Sequence, residues 1–198
     1  MAVFQFIKGS SCSLYVLILF GMLLVTLFSP SIVNAGESPI VLGTDKDEYT
    51  IGETATLYIT NVSNETLTFV FFPFYRVYAW PDFTSVYPVA WYYLLWELAP
   101  GESESYPWSL SNASAGLYVA YDIYGYNTRT FLRINVEGNP SVGDLNGDGI
   151  VDMNDIGLVC KAYATKPQDW LWNPFCDVDR NEIVDMSDVG IVCLHFGE

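Results

Sequence analysis

The chain is 198 residues long, with 23 acidic against 8 basic residues, a formal net charge of −15 and a hydrophobic share of 51%. So large an acidic excess excludes nucleic acid and anionic membrane surfaces as partners, since both carry the same sign of charge. The single histidine, His195, lies near the C-terminus, which excludes a His-based nucleophilic site in the rest of the chain.

Taken in chain order, the first eight residues carry one positive charge and residues 14–28 are almost wholly apolar. Val33-Asn34-Ala35 then offers small residues at −3 and −1 before Gly36. This is the layout of a secretory signal peptide over 1–35, with a helical apolar stretch. The alternative is an uncleaved signal anchor, although the apolar run is short beside the ~20 residues of a membrane span. Such an anchor is the one route by which this chain would meet a membrane. Either way the remainder is expected outside the cell, secreted or at the cell surface, where calcium is plentiful and disulfides form.

Residues 38–137 read as an all-β domain. Ala55, Leu57 and Ile59 alternate with Thr56, Tyr58 and Thr60, and Leu132, Ile134 and Val136 alternate with Phe131, Arg133 and Asn135. Further strand-sized runs lie at 40–44, 67–71, 75–80, 86–92, 104–110 and 117–124. Turn signals at Asp45-Lys46-Asp47, Asn61-Val62-Ser63-Asn64, Pro81-Asp82, Ala99-Pro100-Gly101 and Gly125 separate them. Seven or eight short strands at this spacing predict a two-sheet sandwich. The layout includes Tyr49-Thr50-Ile51-Gly52-Glu53, a strand ending at Asn61, Leu98-Ala99-Pro100-Gly101-Glu102-Ser103 before a Trp-bearing strand, and a late Gly116-Leu117-Tyr118. It resembles the Ig-like domains related to bacterial intracellular proteinase inhibitors, a resemblance that implies the fold and no inhibitory residues.

A carboxylate pair for glycoside hydrolysis would have to come from Asp45, Asp47, Glu48, Glu53, Asp82, Glu97, Glu102 or Asp122, most of which sit in turns of a domain small for a substrate cleft. A non-catalytic protein is expected. Aromatic residues are dense between Phe71 and Trp108, with Phe72, Phe74, Tyr75, Tyr78, Trp80, Phe83, Tyr87, Trp91, Tyr92, Tyr93 and Trp96 between them. Core packing accounts for most such rings, and exposed ones would make a protein contact or a stacking surface for carbohydrate. Sequons at Asn61-Val62-Ser63, Asn64-Glu65-Thr66 and Asn112-Ala113-Ser114 mark expected exposed turns.

The C-terminal region, 138–198, contains a repeat at an interval of 33 residues: Asp-Leu-Asn-Gly-Asp-Gly-Ile-Val-Asp-Met-Asn-Asp at 144–155 and Asp-Val-Asp-Arg-Asn-Glu-Ile-Val-Asp-Met-Ser-Asp at 177–188. Both have the spacing of a twelve-residue calcium loop, in which a hard cation takes six to eight oxygens. Loop one offers Asp144, Asn146 and Asp148 at positions 1, 3 and 5, the carbonyl of Ile150 at 7, Asp152 through water at 9 and Asp155 at 12. Loop two offers Asp177, Asp179, Asn181, the carbonyl of Ile183, Asp185 and Asp188 in the same places. Gly149 occupies the sharp turn at position 6, whereas loop two has Glu182 there, so the second of two Ca²⁺ sites is expected to be weaker or more strained. Eleven of the 23 acidic residues fall in this region, where mutual repulsion opposes compaction until cations arrive.

The approaches to the loops, Gly138-Asn139-Pro140-Ser141-Val142-Gly143 and Trp172-Asn173-Pro174-Phe175-Cys176, break helices, so only exit helices are predicted. Ile156, Val159 and Tyr163 share one helical face, and Val189, Val192 and Phe196 share the other. Two half EF-hands, each a loop feeding one helix, closely resemble a dockerin domain. The expected whole is therefore multidomain: a signal helix, an Ig-like sandwich over 38–137 and a small α-helical dockerin-like module over 138–198. The resemblance implies calcium-coupled folding and docking to a cohesin on another protein, of the kind that assembles polysaccharide-degrading complexes. It further implies that partner choice rests on Met153, Asn154, Cys160 and Lys161 in one repeat and Met186, Ser187, Cys193 and Leu194 in the other. These depart from the Ser-Thr and Lys-Arg pairs of well-known cellulosomal dockerins, so the cognate cohesin differs or the contact is made within one chain. The two methionines either give adaptable contacts or seal the small core. A calcium sensor is disfavoured because the entering helices that would open are missing.

Cysteines other than Cys12 lie in the C-terminal module, at 160, 176 and 193. A bridge from Cys176 to Cys160 or to Cys193 would staple so small a domain and leave one thiol over. No close pair has the spacing of a zinc site.

Overall fold

The computed structural model describes residues 38–88, 90, 92–136 and 141–198. The signal segment 1–35, Trp91 and the residues 137–140 at the expected domain boundary lie outside them. Ser38–Glu198 is one compact unit. It begins with ten strands: β1 Ile40–Thr44, β2 Glu48–Thr50, β3 Thr54–Asn61, β4 Leu67–Phe72, β5 Tyr75–Ala79, β6 Thr84–Tyr87, β7 Tyr92–Leu98, β8 Ser103–Ser109, β9 Gly116–Asp122 and β10 Arg129–Asn135. Two short helices follow, α1 Met153–Lys161 and α2 Met186–Leu194.

The strands form a β-sandwich. One sheet has the order β1-β3-β8, the facing sheet the order β2-β10-β9-β5-β6, and β4 pairs with β7 as a separate two-stranded ribbon. All described pairings are antiparallel except β2 with β10. Ala55, Leu57 and Ile59 point into the core and meet Phe74, Tyr75, Val77, Tyr118, Ala120, Leu132 and Ile134 from the opposite sheet. The period-two alternation seen in the sequence is thus realised on β3, where Thr56, Tyr58 and Thr60 face outward and are half-buried.

Three expectations need correction. The run at 86–92 is not one strand: Pro88, which has no N–H to give a ladder, separates β6 from β7. β7 itself was hidden because its residues show no alternation, and β2 because it is only three residues long. Val136 lies beyond β10 and is exposed. The sequon residue Asn61 is fully buried; its amide nitrogen donates to the carbonyls of Glu65 and Leu98 at 2.8 and 2.9 Å, while Asn64 and Asn112 are exposed.

The outer face of the five-stranded sheet is also covered. Trp80, Leu117 and Val119 join Leu145, Val151, Val159, Ala162, Cys176, Val184 and Val192 in a second apolar core, with Tyr78, Tyr121 and Phe131 at its margin. Two arginines fasten this contact. The Arg129 guanidinium donates to the carbonyls of Pro167, Asp169 and Trp170 at 2.8, 2.9 and 3.3 Å. Arg133 donates to the carbonyl of Asp144 at 2.8 Å, pairs with Glu48 at 2.8 Å and lies 5.3 Å from the centre of the Phe175 ring. At Gly147 (φ +71°) the chain approaches β10 so closely that a Cβ would come within 2.5 Å of the Asn135 Oδ1 and 2.6 Å of the Ile134 carbonyl oxygen. The Val136 amide donates to the Gly147 carbonyl at 2.8 Å.

Arg133→Met keeps the apolar stem but removes a charge-assisted hydrogen bond to a part-buried carbonyl; it should lower unfolding stability by about 2 kcal/mol in calorimetry, with Arg133→Lys intermediate. Folded protein from a glycosylating host should carry glycans at Asn64 and Asn112 and none at Asn61 when its peptides are mapped by mass spectrometry.

Candidate metal centre

Each acidic loop is built by its own backbone. In loop one, the Asp144 carboxylate accepts from the amides of Gly147 and Gly149 at 2.8 and 3.0 Å, which curls the chain around it. In loop two, Asp177 accepts from Asn181 and Glu182 at 3.0 and 2.9 Å. Asn146 and Asn181 each accept from the amide two residues on, and Asp148 does the same for Ile150.

The closing aspartates bind both ends of the loop. Asp155 accepts from Leu145 and Asn146 at 2.8 and 3.0 Å with one oxygen and from Asp152 at 2.8 Å with the other. Asp188 repeats this with Val178, Asp179 and Asp185 at 2.7, 3.2 and 2.8 Å. Asp152 and Asp185 are the N-caps of α1 and α2, each in extended backbone and each completing a reciprocal capping box with the closing aspartate. Their carboxylates accept from Asn154 and Ser187, both at 2.6 Å, so position 9 serves the helix start.

Asp177, Asp179 and Asp188 present carboxylate oxygens within 4.8 Å of one another, an acidic triad that could hold a metal ion. The equivalent place in loop one has Asn146 in place of Asp179, and among the described residues no triad forms there. Asp144, Asp155, Asp177 and Asp188 are all buried, and none is in an ion pair among the described residues. Burial, then the nearby Asp155 and Asp148, raises the Asp144 carboxyl above its ordinary range against the pull of the Gly149 and Gly147 amides. Desolvation, then Asp188, raises Asp179. Buried carboxylates that lack a cationic partner, at oxygen-ligand spacing, fit a hard divalent cation. Asn146 is half-buried, and Asp148, Ile150, Asn181 and Ile183 are exposed.

Loop two carries backbone strain at two positions. Glu182 has φ +67°, as its place opposite Gly149 (φ +92°) predicts, and Arg180 has φ +61° opposite Gly147. The second strained position was legible only as the Gly-to-Arg difference at position 4, which the ligand pattern does not use. The exit helices are shorter than the apolar spacing predicts: Val159 and Val192 are buried and Ile156 and Val189 half-buried, but Tyr163 and Phe196 lie past the helix ends and are exposed.

Met153 and Met186 begin their helices and are largely exposed, so they do not seal the core. Asn154, Lys161, Ser187, Leu194, Cys160 and Cys193 are exposed as well. No bridge staples the module. Cys160, Cys176 and Cys193 are free thiols, and burial pushes the Cys176 thiol far above its ordinary range, which makes it inert. The sheet's outer edge also bears a shallow groove of about 410 Å³ lined by Phe71, Arg76, Tyr78, Tyr121, Asp122 and Ile123. The Asp122 carboxylate is spent there on the amides of Tyr124, Tyr126 and Thr128.

No family model matches the chain, and no curated protein does. Among solved structures, a type II cohesin–X-dockerin complex from Acetivibrio cellulolyticus is 17% identical, with 68% of this chain and 96% of that one covered at a TM-score of 0.28. A cycloisomaltooligosaccharide glucanotransferase from Paenibacillus is 18% identical over 54% of this chain, at a TM-score of 0.37. The chain spans 15% of that enzyme's length and 16% of a Listeria innocua β-glucosidase that is 18% identical, covers 50% of this chain and has a TM-score of 0.30. The observed architecture is a β-sandwich followed by a small two-helix module with an acidic cluster.

Arg180→Gly removes one strained residue and one positive charge beside the triad. It should tighten calcium binding at loop two by about 1 kcal/mol, or roughly fivefold, in calorimetric titration, and leave loop one unchanged. Asp144→Ala with Asp177→Ala should abolish the calcium-induced gain of helicity in circular dichroism, whereas Tyr92→Ala should leave it intact.

Proposed function

We propose that this is a secreted, non-catalytic assembly protein. Two Ca²⁺ ions, one in each acidic loop, complete the C-terminal module, which docks to a cohesin-type domain of another protein and so tethers the Ig-like sandwich to an extracellular or cell-surface assembly. In loop one the ion is held by Asp144, Asn146, Asp148, the Ile150 carbonyl, Asp152 through water, and Asp155. In loop two it is held by Asp177, Asp179, Asn181, the Ile183 carbonyl, Asp185 and Asp188. Export follows from the signal segment.

The observation that carries this reading is the pairing of each buried, cation-seeking loop with an exposed apolar residue at the start of its own helix. Met153 and Met186 follow directly on the N-caps Asp152 and Asp185, so whatever fixes the loop also fixes the contact residue. Met186 and Leu194 lie at the two ends of α2, and Met153 repeats the arrangement on α1. Carbohydrate as the sandwich's own ligand would want a flat row of exposed rings. Among the described residues, Phe71 and Tyr93 are perpendicular, Tyr92 and Tyr93 are sequence neighbours on opposite faces of β7, and Trp170 has Phe83 and Tyr121 stacked against it.

Residues 38–198 should bind one or more members of a panel of cohesin domains in calcium and release them in chelator. Met153→Glu with Met186→Glu should weaken binding at least tenfold without changing calcium stoichiometry. Binding that persists in chelator, or that ignores the methionine pair, would sink the proposal.

A further inference from the structure

The β4–β7 ribbon differs from the rest of the sandwich. Its inner end is anchored by Phe69 and Leu98, both buried, and by Trp96 stacked on Phe69 at 4.4 Å. Its outer end is bare. Tyr92 is 66% exposed, Tyr93 68%, Leu94 52% and Leu95 65%. Four consecutive exposed residues on a strand point to alternate faces, so among the described residues the outer end of β7 presents uncovered apolar side chains on both faces. β7 pairs with β4 alone, and among the described residues no other segment bonds to its far edge.

We infer that β7 is a self-association edge: two copies of the chain pair β7 against β7 antiparallel, giving a four-stranded β4-β7-β7-β4 sheet about a twofold axis. An unpaired strand edge offers a row of N–H and C=O groups, and a second strand satisfies them while setting its own apolar side chains beside those of the first on both faces. A bilayer would cover the faces but strand those backbone groups in hydrocarbon. A sugar would need free polar side chains, and from Tyr92 to Trp96 there are two phenol hydroxyls and the Trp96 indole N–H, which donates to the Phe71 carbonyl at 3.0 Å.

Self-pairing also fits the charge pattern. With the axis at Leu95, each Leu95 faces the other copy's Leu95, Leu94 faces Trp96, and Tyr93 faces Glu97. The single charge of the strand, Glu97, then never meets its own copy. Such an antiparallel pair is isologous and closes, so it does not propagate into a fibre. Cross-strand neighbours cover part of the exposed Tyr92, Tyr93, Leu94 and Leu95 on each copy, so the pair is a small interface of modest affinity.

The test is sedimentation equilibrium of residues 38–198 in calcium at concentrations up to about 100 µM, well above the micromolar affinity expected of a minimal interface. The wild type should approach twice the chain mass. Leu94→Lys with Leu95→Lys should remain at the chain mass, with unchanged circular dichroism and calcium stoichiometry, because both side chains are mostly in solvent. Hydrogen exchange should show β7 amides gaining protection with concentration in the wild type alone. A wild type that stays monomeric overturns the inference, as does a dimer indifferent to the two lysines. Monomers that sediment with zwitterionic vesicles, or that bind an oligosaccharide in a Leu95-dependent way, would overturn it in favour of a lipid or sugar surface.

Discussion

Asp155 and Asp188 each close a loop and start a helix with the same two oxygens. One oxygen gathers the amides at the head of the loop; the other takes the N-cap amide, so helix and loop cannot form separately. The arrangement buries a carboxylate beside the equally buried Asp144 or Asp177, and amide dipoles alone offset only part of the cost of two negative charges removed from water. A divalent ion would supply the remainder, and on the proposed reading folding of each loop–helix unit and occupancy of its loop are aspects of one equilibrium.

The loops are also tied to the sandwich. Loop one lies against the end of β10, with Gly147 in a space that admits no side chain and Arg133 bonded to the carbonyl of the first loop residue. The apolar side of the module finds its partner in Trp80, Leu117 and Val119 on the outer sheet face. A module this small cannot bury much of itself, and the sheet provides the missing wall. What the residues outline as two domains shares one of its two cores.

The two ends of the structure meet solvent differently. On the module, exposed apolar residues stand at helix starts whose geometry depends on the loops. On the sandwich, the β7 edge is anchored through Phe69, Trp96 and Leu98 and shares no residue with the acidic loops. The first suits a regulated contact and the second a standing one, so the two surfaces need not compete.

Much was legible in the residues. Acidic side chains at ligand spacing, repeated with their following apolar residues, gave both loops and both exit helices, because metal ligation and helix capping are local chemistry read within twelve residues. Alternation gave β3 for the same reason, since a strand half-buried in a sandwich writes its period directly; on β10 it gave Leu132 and Ile134, but Asn135 is buried and Val136 exposed. The strain at Glu182 followed from its alignment with Gly149. Other features are decided only by segments far apart in sequence. Phe131 and Leu117 look like surface positions until the module covers them, and Asn61 looks like a turn until Leu98 accepts its amide. The helix faces that include Tyr163 and Phe196 have room for one buried residue each, because α1, α2 and the sheet already fill the small core. β7 gives no periodic signal since both of its faces are apolar, and only the sheet order shows that its far edge has no partner among the described residues.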